Sequence, residues 1–565
     1  MAICLFKIMN LENYEIIQEF DVKQIMRDGV KLSSYIYRPE SKFKFPVILT
    51  RTPYSTIEGH FKRLDDEAKF FAKHGYVYII QDCRGKNNSE GKFNPFHNDN
   101  YDGYDTIKWI LHQKWSDGNI GTIGASYSAW NQWATAVLNP PGLKTMISIV
   151  ALPDPIINVP YQNGALVLPM AEWMAIIEGK TNLPSEIYDT QNLLWHLPLS
   201  TIDRKFGWKS SIWKDWLNHS SSDEFWKETF YQDKLKNIHI PVLHISGWYD
   251  DDLIGTYINF STISNNISLD QKNYQKLIIG PWQHKVNRSQ KIGDIDFGNS
   301  AIIDLRKIEL DWFDRFLKGI NNGIDNDLPV EIFVMGENKW RKEKTFPIEN
   351  TKYIPYYIHS NGKANSSEGD GTLNIKIPDD EPYDQYIYDP SDPVRCILDP
   401  NDISAEGPFD QSSLERRKDV LVYQTDVLKE EIEVTGPIKM RLYVSSDAID
   451  TDFWVQLTDV FSTGYSMHLT ENIIRCGYRF GLEKFIPLKP NEITECNVDL
   501  WAISNLFKKG HKIRIDISSS CFPKYNRNPN TGESIKSYKK LKKATQRIYH
   551  NNKYPSYVLL PIIKR

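Results

Sequence analysis

Residues 119–138 contain the feature that most restricts how this chain can fold. An apolar run has the pattern of a strand, residues 124–128 read as a tight turn, and residues 127–138 have the pattern of a helix. A serine on such a sharp turn, here Ser126, holds its hydroxyl clear of the backbone and directs it at a pocket. The fifth position of the usual Gly-x-Ser-x-Gly pattern is Ser128. The prediction of a nucleophile elbow therefore depends on the flanking strand and helix.

Length and charge limit the class of protein. A chain of 565 residues is too long for one core, so two or three domains are expected. The 41% hydrophobic and 25% charged residues are typical of a soluble globular protein. A net charge of −4, without a dominant basic block, gives no support for binding to nucleic acid or to a membrane surface. No segment has the roughly 18 uninterrupted apolar residues of a membrane span.

The cysteines indicate a cellular compartment. They are widely spaced and include no CxxC pair, so the sequence predicts no disulfide framework and favours a reducing environment. The six are Cys4, Cys83, Cys396, Cys476, Cys496 and Cys521. The first nine residues are apolar but have no basic leader, which makes them a poor signal peptide. We therefore expect a cytoplasmic protein.

Strand and helix patterns alternate in the first 150 residues. Short apolar runs at 46–50, 76–80 and 146–150 are typical of buried strands, and residues 61–73 and 101–113 have helical patterns. This alternation predicts a parallel sheet that is covered by helices on both faces.

The pattern changes twice further along the chain. Residues 151–238 are rich in proline, tryptophan and helical segments, which indicates a helical insertion, and the α/β pattern then returns. From about residue 345, short alternating strands separated by turns predict a sandwich or jelly roll. We therefore expect an α/β domain formed by residues 1–150 and 239–344, a helical lid at 151–238, and a C-terminal all-β domain at 345–565.

Three candidate catalytic residues follow predicted strands of the α/β domain. In an open parallel sheet, reactive groups lie at the carboxyl ends of the strands. Ser126 is at such an end, Asp250 follows the strand predicted at 240–245, and His284 follows the strand predicted at 276–279. The chain order Ser–Asp–His is that of α/β-hydrolase triads.

The chemistry of these side chains assigns each a role. A serine hydroxyl needs a base to take its proton, and the ordinary pKa of histidine, near 6.5, suits His284 to this task. A carboxylate on the other imidazole nitrogen fixes the tautomer and stabilises the imidazolium, which is the role expected of Asp250. The adjacent Asp251 and Asp252 are alternatives for that role.

An oxyanion hole needs two donors near the serine. In this fold one donor is the amide after the nucleophile, here that of Tyr127, and the other comes from an early loop. The loop at 51–55 has no glycine-rich run, but the phenolic hydroxyl of Tyr54 is a candidate donor. The alternative is a tyrosine that packs beneath the lid. The sequence has no HExxH motif and no His/Asp cluster at ligand spacing, so we expect no metal and no cofactor.

The chain resembles the cocaine esterase / X-prolyl dipeptidyl peptidase (CocE/NonD) family of serine hydrolases. The resemblance extends over nearly the whole chain and rests on several motifs. They are Arg51-Thr52-Pro53-Tyr54, Gln81-Asp82-Cys83-Arg84-Gly85 with Ser89-Glu90-Gly91, Trp115-Ser116-Asp117-Gly118-Asn119-Ile120-Gly121, Gly124-Ala125-Ser126-Tyr127, Gly247-Trp248-Tyr249-Asp250, Gly280-Pro281-Trp282-Gln283-His284, Asp450-Thr451-Asp452-Phe453 and Ser518-Ser519-Ser520-Cys521-Phe522-Pro523-Lys524-Tyr525.

This resemblance implies a fold and a site. The fold is an α/β-hydrolase domain with a helical lid and a C-terminal jelly roll. The site is a triad with Tyr54 and the amide of Tyr127 as oxyanion donors. Glycine is more common in the family where this chain has Ala129. The position of Asp252 is aromatic in esterases of this group, whereas related α-amino-acid ester hydrolases carry acidic residues near it.

Further candidate residues concern the substrate and the domain interior. Two aromatic residues of the predicted lid, Tyr161 and Trp173, are candidates for substrate binding beside Asp252, since aromatic side chains line apolar pockets. Arg84 is expected to form an ion pair inside the domain.

The sequence therefore predicts a hydrolase that cleaves an ester or amide through an acyl-enzyme. The alternatives are an X-prolyl dipeptidyl peptidase, an α-amino-acid ester hydrolase or acylase, and a β-sandwich binding protein with a degenerate hydrolase domain. The expected partner is a small-molecule ester, amide or short peptide. The sequence leaves the oligomeric state open, a homo-oligomer included.

Overall fold

The computed structural model describes residues 14–54, 60–183, 188–266, 274–399 and 406–565. The N-terminal segment considered above as a signal peptide, with Cys4, lies outside these ranges.

The N-terminal part of the chain is built on a central sheet. Its strands and the short ribbons between them are β1 Ile16–Ile25, β2 Lys31–Pro39, β3 Phe45–Thr52, β4 Val77–Asp82, β5 Ser116–Ala125, β6 Leu143–Ile149, β7 Tyr161–Gln162, β8 Ala165–Leu166, β9 Val242–Tyr249, β10 Gln275–Gln283, β11 Lys291–Ile292, β12 Ile295–Asp296, β13 Val330–Val334 and β14 Lys339–Glu343. Ten of them form one sheet in the order β1-β2-β4-β3-β5-β6-β9-β10-β13-β14. The seven strands from β4 to β13 in this order are parallel, whereas the pairs at both edges are antiparallel.

Helices cover this sheet and form the lid. They are α1 His60–Lys73, α2 Asp99–Ile110, α3 Tyr127–Ala136, α4 Met170–Ile177, α5 Thr190–Leu193, α6 Ile202–Lys205, α7 Ser211–Asn218, α8 Glu224–Lys227, α9 Leu253–Asn266 and α10 Leu305–Leu317. Strands β3, β4 and β9 are buried along their whole length, which explains their continuous apolar runs. Helices α4 to α8 lie between β6 and β9, as expected of the lid.

The C-terminal part is a mostly-β domain. Its strands are β15 Lys352–His359, β16 Thr372–Asn374, β17 Asp384–Tyr388, β18 Leu421–Gln424, β19 Ile432–Ser446, β20 Asp452–Val460, β21 Ser466–Arg475, β22 Thr494–Phe507, β23 Lys512–Ser518, β24 Ala544–Tyr549 and β25 Tyr557–Ile563. They form one sheet in which only the β16–β18 pair is parallel among the described residues. The predicted fold class is confirmed, and the three predicted boundaries between the four ranges stay a prediction.

One apolar cluster contains residues of both the α/β part and the β domain. Trp248 and Phe333 belong to the same buried cluster as Leu500 and Ile503. Backbone hydrogen bonds cross this interface, since the amide of Met335 donates to Ser504 O at 3.0 Å. The two parts therefore pack as one body at this interface.

The structure contains a disulfide bond that the wide spacing of the cysteines did not predict. Cys396 and Cys521 are joined by a disulfide bond and lie 125 residues apart in the sequence. Spacing alone could not reveal this pair because the fold brings the two segments together. The predicted cytoplasmic location stays a prediction. None of the helices among the described residues is long and apolar enough to cross a lipid bilayer.

Candidate active site

Ser126 occupies the predicted elbow. Strand β5 ends at Ala125, α3 begins at Tyr127, and Ser126 between them has φ 59° and ψ −127°. This backbone conformation is strained for an L-residue. Gly124 is required nearby, since a Cβ at that position would lie 2.6 Å from the carbonyl oxygen of Ser128. The local sequence therefore allows a turn that presents the half-buried Ser126 side chain at the sheet edge.

His284 and Asp250 meet at the ends of neighbouring parallel strands. Strand β9 ends at Tyr249 and β10 ends at Gln283, and these two residues are paired in the sheet. The distance from His284 Nδ1 to Asp250 Oδ1 is 2.8 Å. The side chain of Asp250 is fully buried. It accepts hydrogen bonds from Ser246 Oγ at 2.6 Å and from the amide of Asp252 at 3.1 Å.

Two further carboxylates surround the same imidazole. Asp251 Oδ1 lies 3.2 Å and Asp252 Oδ2 lies 3.7 Å from His284 Nδ1. Burial alone would lower the pKa of His284, but the charge of Asp251 and the hydrogen bonds that the imidazole donates to Asp250 and Asp251 raise it well above its ordinary value. Of the three candidates, Asp250 makes the shortest contact with the histidine.

Asp252 is buried beside the histidine. Its Oδ1 accepts a hydrogen bond of 2.8 Å from Asn158 Nδ2, which also donates to the carbonyl of Asp251 at 2.9 Å. Burial, followed by the charge of Asp251, raises the pKa of Asp252 well above its usual range. Sequence reasoning missed Asn158. The signal that could have identified it is that Asn158 is a polar residue within the apolar run at 156–160.

Tyr54 interacts with both the serine and the histidine. Its pKa is raised to about 12 by burial, while the hydrogen bond with Trp173, the charge of His284 and a side-chain hydrogen bond with Ser126 oppose this rise. The phenol therefore stays protonated at neutral pH and can donate a hydrogen bond. Its oxygen accepts a hydrogen bond of 3.0 Å from the indole nitrogen of Trp173.

Tyr127 contributes through its backbone. Its phenol donates to Asp99 Oδ2 at 2.6 Å and accepts from the amide of Phe96 at 2.9 Å, so the side chain is fixed in the core. Tyr127 is the first residue of α3. The first amides of a helix have no intrahelical carbonyl partner, so this N–H is available at the elbow.

The described residues contain the histidine–carboxylate half of a triad but no hydrogen bond between Ser126 Oγ and His284. His284 Nδ1 forms a hydrogen bond with Asp250, and the side chain of Ser126 forms a hydrogen bond with Tyr54. Catalytic hydrogen bonds in unliganded enzymes are often long and tighten when substrate binds.

The two aromatic candidates of the lid have different surroundings. Trp173 lies on α4 and reaches Tyr54. Tyr161 is fully buried, and its hydroxyl donates to the carbonyl of Trp216 at 3.0 Å. Tyr161 therefore has no exposed surface in this structure, and its predicted role in substrate binding stays a prediction.

Two charged side chains outside the triad have partners of their own. Arg84 pairs with Asp102 at 2.6 Å and with Asp28 at 2.7 Å, as expected of a structural residue. Lys524 of the β domain is buried and hydrogen-bonds to Glu406 and Glu471. Its burial lowers its pKa to about 7, and the charge of Asp251 opposes this shift.

Lys524 was not identified from sequence, although it lies in one of the C-terminal motifs. Its interaction with the charge of Asp251 depends on the packing of the β domain.

Asp250, Asp251, Asp252 and His284 each offer a ligand atom, and these atoms lie within 4.8 Å of one another. Such a group has the donors to hold a cation. The expectation that the protein uses no metal stays a prediction.

A serine on a strained strand-to-helix turn, beside a histidine–aspartate pair at adjacent strand ends, defines an α/β serine hydrolase. Comparisons with known proteins give the family. Residues 28–286 match the model of the X-Pro dipeptidyl-peptidase (S15) family, and residues 322–559 match the X-Pro dipeptidyl-peptidase C-terminal non-catalytic domain. The chain belongs to this family of CocE/NonD-like serine hydrolases.

Individual relatives are similar over nearly their whole length. The chain is 35% identical to a cocaine esterase from Rhodococcus sp. (strain MB1 Bresler), over 96% of this chain and 97% of the relative. Two solved structures are each 26% identical over 98% of this chain and 97% of the other. They are an aminopeptidase from a marine sediment archaeon, Thaumarchaeota archaeon, with a TM-score of 0.85, and an α-amino acid ester hydrolase with a TM-score of 0.83. These findings favour an enzyme over the alternative of a binding protein with a degenerate hydrolase domain.

Proposed function

We propose that the protein is an acyl esterase in which Ser126 attacks the substrate carbonyl. His284 takes the serine proton through Nε2 and passes it to the leaving group, and Asp250 holds the opposite ring nitrogen. Water activated by His284 then releases the acid from the acyl-enzyme. The observation that carries this proposal is the 2.8 Å contact between His284 Nδ1 and Asp250 at the strand ends beside the elbow.

Two donors stabilise the oxyanion in this mechanism. The amide of Tyr127 is supplied by the helix start, and the hydroxyl of Tyr54 is supplied by the loop after β3. Removing one such donor typically lowers kcat about 10²–10³-fold. The elevated pKa of Tyr54 supports this role, because a phenolate could not donate to an oxyanion.

The serine is tested by replacing it. Ser126→Ala should lower kcat by several decades, on the order of 10⁶ by comparison with other serine triads, with the fold unchanged by circular dichroism. The neighbouring Ser128→Ala is the matched control and should retain esterase activity. A fluorophosphonate probe should label the native chain and not Ser126→Ala. Residual activity above about a tenth in Ser126→Ala would refute the assignment.

The environment of Asp252 supports a second proposal, which concerns the class of acyl group that the enzyme prefers. Burying the charged form of a carboxylate is costly, and the hydrogen-bond donor to Asp252 is the neutral amide of Asn158, while His284 Nδ1 lies 3.7 Å from the carboxylate. A substrate ammonium would supply a further positive charge and stabilise the ionised form of Asp252. We therefore propose a preference for α-amino acyl esters or peptides with a free N-terminus, which includes X-prolyl peptides, over neutral acyl esters.

This preference is tested with a matched pair of substrates. Phenylglycine methyl ester and methyl phenylacetate differ only in the amino group. The native protein should favour the amine in kcat/KM, and Asp252→Asn should reduce that ratio while keeping an amide in contact with Asn158. The same ratio in both proteins would exclude Asp252 as the ammonium-binding group. Ala-Pro-p-nitroanilide beside p-nitrophenyl acetate then separates peptidase from esterase activity.

A further inference from the structure

The lid reaches the candidate oxyanion hole through one side chain. Trp173 lies in the middle of α4, and its indole nitrogen donates to the phenolic oxygen of Tyr54 at 3.0 Å. The same phenol hydrogen-bonds to the side chain of Ser126. Trp173, Tyr54 and Ser126 therefore form a continuous chain of polar contacts from the lid to the nucleophile.

The chemistry of the indole fixes the direction of this chain. An indole N–H can only donate, whereas a phenolic hydroxyl both donates and accepts. Because Trp173 donates to Tyr54, the single proton of Tyr54 must point away from the indole, so the hydroxyl can donate to another acceptor in the site. A hydroxyl that accepts one hydrogen bond is also polarised into a stronger donor of the next.

We propose that Trp173 is a positioning residue of the oxyanion hole, which directs the Tyr54 proton at the reacting oxygen. This inference rests on the proposed role of Tyr54 as an oxyanion donor. It assigns the lid a part in transition-state stabilisation, in addition to any contact that Trp173 makes with the acyl group.

Aromatic packing holds the indole in place. The Trp173 ring is stacked with Phe96 at 6.5 Å and with Trp216 at 6.1 Å between centroids. The ring of Tyr127 is 6.2 Å away. Trp216 is fully buried, so the Trp173 indole packs against a side chain that is itself held in the core.

A buried lysine anchors the helix that carries Trp173. Lys86 Nζ donates to the carbonyls of Ile177 and Gly179, at 2.6 and 2.5 Å. Ile177 is the last residue of α4, and such terminal carbonyls have no intrahelical partner. The next amide, that of Asn87, donates to the carbonyl of Lys180 at 2.8 Å. The loop after β4 therefore fixes α4 against the hydrolase domain.

The proposal is tested by removing only the indole N–H. Trp173→Phe keeps an aromatic ring but cannot donate to Tyr54. We expect kcat to fall about 3- to 10-fold, as for the loss of one neutral hydrogen bond. KM should change less than twofold. The control is Trp213→Phe, because Trp213 is a lid tryptophan whose indole donates to the carbonyl of Leu199 at 2.9 Å, and its kcat should match that of the native protein.

A second substrate separates positioning from substrate contact. The fold-loss in kcat should be equal for p-nitrophenyl acetate and p-nitrophenyl benzoate if Trp173 acts on the oxyanion. A loss confined to the benzoate, or expressed in KM, would mean that Trp173 only packs against the acyl group and would overturn the proposal.

A double-mutant cycle links Trp173 to Tyr54. In a Tyr54→Phe background, Trp173→Phe should lower kcat by less than about twofold, because the group that it positions is absent. Equal fold-losses in both backgrounds would overturn the inference. If Tyr54→Phe alone leaves kcat unchanged, the oxyanion role of Tyr54 fails instead, and the two failures are distinguishable. Lys86→Met should also lower kcat, because it removes the anchor of α4. In the double variant with Trp173→Phe, kcat should be little lower than in Trp173→Phe alone.

Discussion

At the scale of single residues, the most unusual feature is one imidazole among three carboxylates. Asp250, Asp251 and Asp252 all lie within 3.7 Å of His284 Nδ1. Burial opposes the charged imidazole, but the charges of Asp251 and Asp250 and their hydrogen bonds with the ring stabilise the imidazolium form and raise the pKa of His284. A general base must be neutral to accept a proton, so these charges set the lower pH limit of activity.

The pH profile tests this effect. Because the pKa of His284 is raised, kcat/KM should increase with pH through an apparent pKa above 6.5. Asp251→Asn removes one stabilising charge, so the pKa should fall and the acid limb should move to lower pH. The exposed Asp66→Asn serves as the control, with an unchanged profile. An acid limb that stays in place in Asp251→Asn would contradict this account.

The sequence predicted the residues whose position follows from strand order, and missed those supplied by packing. Ser126, Asp250 and His284 each follow a strand of a parallel sheet, so their meeting could be inferred. Asn158 and Lys524 reach the site from the lid and the β domain, and no local pattern encodes those contacts. Their roles required the three-dimensional arrangement.

At the scale of elements, a two-residue hairpin docks the lid onto the β domain. Strands β7 and β8 are joined by Asn163 and Gly164, which both have positive φ, as type I′ turns require. Asn163 Nδ2 donates to the carbonyl of Ile473 at 2.9 Å. A Cβ on Gly164 would lie 2.2 Å from the ring of Tyr478.

Substitution of this glycine tests the docking. Gly164→Ala should lower the free energy of unfolding by more than the 1–2 kcal/mol that is typical of left-handed backbone strain alone, because Tyr478 must also move. Gly207→Ala is matched, since Gly207 is also in the lid with φ 89° but has no neighbour within 4 Å of its Cβ position. Equal destabilisation of the two variants in urea denaturation would show that the hairpin does not dock tightly.

The end of strand β9 could not be predicted from the sequence pattern. The strand predicted at 240–245 extends in the structure from Val242 to Tyr249. Its last residues include serine, glycine and tryptophan, which lack a buried-strand pattern. Pairing with β10 holds them in the sheet, so tertiary context overrides local preference.

At the scale of the whole molecule, one buried apolar cluster contains residues from both sides of the predicted boundary near residue 345. Ile503 of the β domain is fully buried in the cluster that contains Trp248 and Phe333 of the α/β part. Loss of packing on one side of this interface should therefore affect both parts.

Denaturation of an interface variant tests this coupling. Ile503→Ala should lower the free energy of unfolding by about 2–5 kcal/mol, as for other buried isoleucines. Activity and tryptophan fluorescence should be lost together in one transition. Ile387→Ala is the control, since Ile387 lies on a strand of the same domain and is 61% exposed. Its effect should be within about 0.5 kcal/mol. Separate transitions for the two signals would indicate independent folding units.

The backbone at Ser126 also limits how this protein could adapt to heat. A residue at φ 59° and ψ −127° costs the fold about 1–3 kcal/mol unless it is glycine. Selection for thermal tolerance alone would therefore favour glycine at this position and abolish the nucleophile. Descendants that keep the serine must reach higher melting temperatures through substitutions elsewhere in the chain.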